Sequence, residues 1–350
     1  MTHLETEPAF DNYAAPPGGE TSSIGAVGEP QPSTFGRLKG FYGHLVDSNL
    51  RLREAREQFF DAVEKAGRGE EFTRVQHRVI FEGDLLREQS MTLVPWVEAV
   101  VPLQEGALGN EPVLVYMAAN AATRQPHGDD ETRIAENLRH ISLIRPRSRQ
   151  EILERSQIRG YGIDILSVSD RRDEAVQDQM GTLYARFGWN REQVGEMLQN
   201  PQIILAVART QEGIVSAGIG ELAAIPIGNT VLRLAELTEA ATLEDHERNG
   251  CYSAISTTIL TELQRRSRLQ DIFGGEIDLA FGESNGLSVG VLRVAAVQGR
   301  RFTTDSGHGY GFPDSGILRQ QVPIEGTYRR TPYNDLVVTY LTRGDIYAIE

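Results

Sequence analysis

Residues 231–267 read VLRLAELTEAATLEDHERNGCYSAISTTILTELQRRS. The segment divides into a strand, VLRLAELTEAATL, a polar turn, LEDHERNG, and a helix that opens at Cys251. A helix whose first turn is free of bulk presents unpaired backbone N–H groups and the positive end of its dipole, which suits an anion such as a pyrophosphate. Gly250 lets a ligand approach the backbone closely, and Arg248 and Asn249 add a charge and donors. Helix starts often look like this for capping alone, so the unit has to be read with its surroundings.

Upstream of it, IDILSV is a strand, RDEAVQDQMGTLYARFG and REQVGEML are helices, and QIILAVA and IVSAGIGELAAI are strands joined by the turn TQEG. Downstream, EIDLAF is a strand, LSVGVLRVAAVQG a helix, RRF a short strand and DLVVTYL a final strand. This order predicts an α/β architecture, with a mixed, twisted sheet of about six or seven strands over residues 161–343. The strands at 232–243 and 276–282 should be parallel and splayed, because the helix from Cys251 joins them as a right-handed crossover.

Residues 37–160 form an additional N-terminal α/β segment. FYGHLVDSNLRLREAREQFFDAVEKAG, from Phe41 to Gly67, places Leu45, Leu50, Leu52, Phe59, Phe60 and Val63 near helical spacing, which predicts an amphipathic helix broken near Asp47. VQHRVIF, WVEAVVPL and VLVYMAA read as strands, and DDETRIAENLRHI and SRQEILERSQI as helices. Residues 1–36 hold no Lys or Arg and contain the turn-rich AAPPGGETSS and GEPQPSTFG, so a disordered tail is expected. The expected organisation is a tail (1–36), the N-terminal segment (37–160) and a C-terminal domain (161–350). Three roles stay open for the middle segment: covering an acceptor cleft, forming a homodimer, or being a worn-down duplicate of the C-terminal fold.

A 350-residue chain that is 40% hydrophobic and 24% charged has the composition of a globular protein, with no apolar run near the roughly 20 residues of a membrane span. The formal net charge of -14 opposes binding to nucleic acid and anionic lipid and would attract cationic amines. The N-terminus lacks the basic start and apolar core of a secretory signal, and Cys251 is the only cysteine, so a cytoplasmic location is expected. The histidines show no close ligand spacing such as H-x-x-x-H, and no metal is expected.

ELTEAATLEDHERNGCYSAISTTILTEL, from Glu236 to Leu263, resembles the central motif of the GNAT acyltransferase superfamily. In that motif a strand runs into a Gln/Arg-x-x-Gly-x-Gly/Ala turn and a helix that cradles the pyrophosphate of coenzyme A. Within the superfamily it is most similar to bacterial β-lysine N-acetyltransferases, with Glu236, Thr238, Ala241, Thr242, Leu243 and Gly250 in matching places. The resemblance covers residues 161–343, including Gly299 to Phe302 and YNDLVVTY, and does not extend to residues 1–160. It implies a GNAT fold and an acetyl-CoA or other acyl-CoA co-substrate. Arg248, Asn249, Gly250, Cys251 and Ser253 would surround the donor phosphates, and the backbone of Thr242 and Leu243 would hold the pantetheine. The chain departs from the pattern at Glu247, where Gln or Arg is usual, at Tyr252, where the third small residue stands, and at Ala295, which replaces a tyrosine that protonates the leaving thiolate. These departures leave open an acyl-phosphopantetheine donor on a carrier protein, or a silent module that binds an acyl thioester.

The acceptor implied is a small amine, such as an amino acid or β-amino acid. An alkylammonium, with an ordinary pKa near 10.4, attacks a thioester only after a base removes a proton. Glu236 and Glu239 lie on the strand feeding the donor loop and are the candidate bases. Simple alternation puts Glu236 on one face with Thr238, Ala240 and Thr242, and Glu239 on the other unless a bulge intervenes. Surface ion pairing is the competing reading for both. Cys251 near His246 could in principle be a nucleophile, although a lone cysteine is more often a small buried hydrophobe.

Overall fold

A computed structural model of the chain describes residues 26–28, 31–33, 37–68, 74–104, 110–120, 130–186, 189–269, 275–313, 315–319 and 335–348. Its elements begin with β1 (Ala26–Val27), β2 (Gln31–Ser33), β3 (Arg37–Val46), α1 (Asn49–Arg68), β4 (Arg74–Glu82), α2 (Gly83–Glu88), α3 (Ser90–Leu93), β5 (Val97–Pro102) and β6 (Pro112–Asn120). Two helices follow, α4 (Asp130–Ile141) and α5 (Arg149–Ile158). The remainder is β7 (Gly162–Ile165), α6 (Glu174–Ala185), α7 (Arg191–Gln199), β8 (Ile203–Thr210), β9 (Gly213–Ile227), β10 (Thr230–Thr242), α8 (Cys251–Arg268), β11 (Leu279–Asn285), α9 (Val289–Val297), β12 (Arg301–Phe302), α10 (Thr303–Ser306), β13 (Ile317–Leu318), β14 (Leu336–Thr342) and α11 (Arg343–Ala348).

Two mixed sheets result. The second has the order β12-β14-β11-β10-β9-β8-β7, with β13 also on β14, and its β10 and β11 are parallel as expected. In the first, β3, β4, β6 and β5 lie side by side in that order, with β3 and β4 parallel and joined by α1. Its connectivity repeats that of β10, α8, β11, β12 and β14: a parallel β-α-β crossover followed by two antiparallel strands, the later of which inserts between its predecessors.

Two expectations for the N-terminal region are corrected. The stretch from Phe41 to Val46 is strand, and the helix begins only at Asn49. Burial decides it: Phe41, Tyr42 and Val46 are all buried and split between two cores, which period-two alternation satisfies and a one-sided helix does not. The expected tail also carries structure at its end, where β1 pairs in parallel with β3 and β2 pairs antiparallel with it. Residues 1–25 lie outside the described residues.

The sheets pack face to face. Phe41, Ile80, Leu114 and Tyr116 of the first share a core with Leu234, Leu279, Phe281 and Val338 of the second. The guanidinium of Arg78 sits in this interface among three rings, 5.3 Å from Phe41, 5.1 Å from Tyr116 and 5.2 Å from Phe281. The other face of the second sheet is covered by α8, through Ile255, Ile259 and Leu263. Elements on either side of residue 160 touch: Ile134 and Ile141 of α4 pack with Leu292 of α9, and Arg149 of α5 donates to Gln264 of α8 at 2.9 Å.

Candidate functional site

Pairing between β10 and β11 is confined to Leu234↔Leu279, Ala235↔Ala280 and Glu236↔Phe281. Beyond Glu236 the strands separate into a V whose mouth is the loop before α8. The opposite edge of β10 stays on β9, but the register slips between Thr238 and Ala241, where one extra residue makes a β-bulge. Glu239 lies in that bulge with φ of +50°, a left-handed conformation that costs a non-glycine residue roughly 1–2 kcal/mol. The Tyr184 hydroxyl fixes it by donating to the Glu239 carbonyl at 2.6 Å.

The bulge separates the two candidate bases. Glu236 is 2% exposed and faces the N-terminal sheet. Around it stand Glu283, Lys39, Arg78 and Glu221, and burial foremost, with Glu283 next, pushes its carboxyl pKa up. Glu283 is held by Lys39 at 3.3 Å, Arg78 at 2.8 Å and Gln76 at 3.0 Å, so this carboxylate cluster ties the two sheets together. Glu239 is half-buried and close to two tyrosines. Burial raises the pKa of both Tyr184 and Tyr252, and the charge of Glu239 raises each further.

At the mouth of the V, Gly250 is the N-cap of α8 with φ of +84°, a conformation natural to glycine. No side chain caps this helix, whereas Asp173 caps α6 and the Asn190–Gln193 capping box closes α7. Its first-turn amides therefore meet no capping side-chain acceptor at Gly250. Arg248 is exposed with φ of +63°, and Asn249 and Ser253 are half-buried beside it. Glu247, a repulsive group for a phosphate, is paired with Arg186 at 3.0 Å, and Arg186 also donates to the Thr242 carbonyl. Arg159 reaches the loop from α5's end and donates to the Asn249 carbonyl at 2.5 Å. Arg159 and Arg186 were not legible as site residues, since they lie 90 and 61 positions from their loop partners.

Thr242, Leu243 and Cys251 each have local partners in the structure. Leu243 donates its N–H to Val215 at 2.8 Å and accepts from His246 at 2.9 Å, so both its backbone groups are engaged. The Thr242 carbonyl is engaged by Arg186. Cys251 is 2% exposed with its Sγ toward the His246 carbonyl at 3.9 Å, and burial pushes its thiol pKa up, the opposite of what a nucleophile requires. Two sizeable cavities lie away from the V: one of about 570 Å³ between α5 and α8, and one of about 700 Å³ between the sheets at the start of β10.

No protein-family model matches the sequence, and no curated protein matches it. Among solved structures the chain is similar to the ribosomal-protein-S18-alanine N-acetyltransferase from Escherichia coli, at 14% identity and a TM-score of 0.36, over 52% of this chain and 93% of that one. It is similar to Arabidopsis thaliana NAA60 in complex with a bisubstrate analogue, at 8% identity and a TM-score of 0.38, over 52% and 98%. It is also similar to aminoglycoside 6'-acetyltransferase type Ii, at 17% identity and a TM-score of 0.33, over 52% and 97%. No helix among the described residues is long and apolar enough to cross a membrane.

Proposed function

We propose that the second sheet is a GNAT-type N-acyltransferase, moving an acyl group from a pantetheine thioester to the amine of a small molecule in the class of amino acids or β-amino acids. The observation that carries this reading is the V itself: a parallel β-α-β pair that stops pairing after Glu236, opening toward an uncapped helix N-terminus at Gly250. Such a slot accommodates an extended donor, with phosphates on the amides of Cys251 to Ser253 and the thioester deep between the strands. Acetyl-CoA is the default donor. Arg159, Arg186 and Arg248 around the mouth are balanced by Glu244, Asp245 and Glu247, which supports a free CoA donor over an acidic carrier protein.

In this reading the amine nitrogen attacks the thioester carbonyl, the carbon–sulfur bond breaks, and the thiolate leaves. The amine's proton passes to a carboxylate, directly or through water. Glu239 takes that role in our assignment, because it stands at the V half-exposed in a strained bulge, whereas Glu236 is closed behind the N-terminal sheet. Calorimetric titration with acetyl-CoA, followed by mass spectrometry of products from an amine panel with CoA and carrier-protein donors, tests the reading. Donor binding with product formation supports it. Binding without turnover across the panel would leave a thioester-binding module, and no binding of any pantetheine donor would remove the donor site.

A further inference from the structure

At the vertex of the V, the next step of the β10–β11 ladder would set Leu237 opposite Gly282. A Cβ on Gly282 would stand 2.8 Å from the Leu237 carbonyl, which only glycine avoids, and 3.3 Å from Nη1 of Arg300, so the guanidinium lies against the bare backbone at this point. Arg300 is 6% exposed. Its Nη2 donates to the Ser256 hydroxyl, while its buried Nε has no hydrogen-bond partner. Burial raises the pKa of the neighbouring Tyr252 hydroxyl, so it brings no charge to the guanidinium in the ordinary pH range. Burial pulls the guanidinium pKa down to about 10.

The other buried arginines have more acceptors. Arg74 pairs with Glu98, Arg78 pairs with Glu283, Arg171 donates to three backbone carbonyls, and Arg149, also without a carboxylate among the described residues, donates to the Gln264 side chain and the Ile346 carbonyl. Arg300 has no carboxylate partner among the described residues. A desolvated guanidinium satisfied by one hydroxyl is costly, and the cost is removed when a ligand brings a negative charge to it.

The ligand's identity follows from position. Arg300 is on the α8 side of the sheet, as is the donor loop, and Thr242 at the mouth is five residue steps along β10 from Leu237 at the vertex. That is about 16 Å of strand, long enough to lay an extended pantetheine arm with its acyl group at the vertex. We propose that Arg300 makes the vertex a carboxylate site, so that the donor is the thioester of a dicarboxylic acid, such as a malonyl or succinyl group. This rests on the acyltransferase reading above and names the donor class. The carboxylate does not take part in the transfer. It pairs with the guanidinium edge and holds the acyl chain down the V.

Calorimetry on the full chain with CoA, butyryl-CoA, malonyl-CoA and succinyl-CoA decides the question, since butyryl and succinyl groups have equal carbon counts and differ in terminal charge. At least one acidic donor should bind more than about tenfold tighter than butyryl-CoA. Arg300→Met, which replaces a lone buried charge with an apolar chain, should bring that ratio to about one while CoA itself stays within about twofold of wild type. Equal affinities in the wild type overturn this inference and leave the acyltransferase reading standing. Binding of no CoA species removes both. An Arg300→Met that weakens butyryl- and succinyl-CoA alike also overturns it, because the guanidinium would then serve a charge common to all thioesters. Should the variant fail to fold, the wild-type ratio alone still decides.

Discussion

The hydroxyl of Tyr184 donates a 2.6 Å hydrogen bond to the carbonyl of Glu239, joining helix α6 to the bulge of β10. A residue held at φ of +50° without a glycine's freedom needs such a partner to stay there. Tyr184→Phe keeps the ring and removes the donor. It should lower stability by about 1 kcal/mol in urea denaturation, and it should lower kcat more than donor KM, because the bulge positions the carboxylate and not the phosphates. An unchanged kcat would show that the bulge holds its shape without this bond.

Gly250 sits at φ of +84° ahead of an uncapped helix. A β-branched residue there is strained and covers the amides that would meet the donor phosphates. Gly250→Val should therefore raise donor KM by roughly tenfold or more while the protein stays soluble and folded. The measurement is steady-state kinetics with varied donor, paired with circular dichroism. Unchanged donor KM in a folded variant would place the phosphates elsewhere.

Which of these features the sequence revealed depends on how local they were. The strand, turn and helix of residues 231–267, their parallel partner and the glycine at the helix start are set by pattern and short-range chemistry, and they appear in the fold as expected. The Phe41–Val46 strand carries a helical pattern too, because Leu45, Leu50 and Leu52 fit a helical period, and only a sheet buried on both faces distinguishes the two. Alternation alone could not place Glu236 and Glu239, because one inserted residue resets the facing of everything after it. The contribution of Arg159, Arg186 and Arg300 comes from contacts between elements far apart in the chain, for which a single sequence carries no local signal.

His77 is fully buried on β4, with neither ring nitrogen in a good hydrogen bond, and burial holds its pKa at about 4 against an ordinary 6.5. The folded chain keeps this imidazole neutral, whereas the unfolded chain takes up a proton below pH 6.5. Its stability contribution is thus complete above about pH 6.5 and is lost as the pH falls toward 4, by an amount on the order of 3 kcal/mol. His77→Leu should flatten this acid limb, so that urea midpoints at pH 7.5 and 4.5 differ less than in the wild type. An equal pH dependence in the two proteins would mean that His77 finds a proton acceptor in the folded state.

The assignment of the base is tested by treating the two glutamates in opposite ways. Glu239→Gln keeps size and hydrogen bonding but removes basicity, so turnover should fall by roughly 10² to 10⁴ with donor affinity nearly constant. Higher pH should partly rescue it, since more of the amine then arrives neutral. Glu239→Gly should be just as inactive, yet more stable by about 1 kcal/mol, because glycine tolerates the left-handed bulge. Glu236→Gln should retain most of its turnover and reveal itself in stability instead. Burial raises the Glu236 pKa in the folded chain, so ionising it costs folding energy as the pH rises above its unfolded value near 4.5. The glutamine variant should accordingly have a higher Tm than wild type at pH 8 and no advantage at pH 4. If Glu236→Gln loses activity while Glu239→Gln keeps it, the base faces the N-terminal sheet, and the acceptor must reach it from between the sheets. If neither change slows the reaction, no carboxylate of β10 removes the proton, and the amine reaches the thioester already neutral.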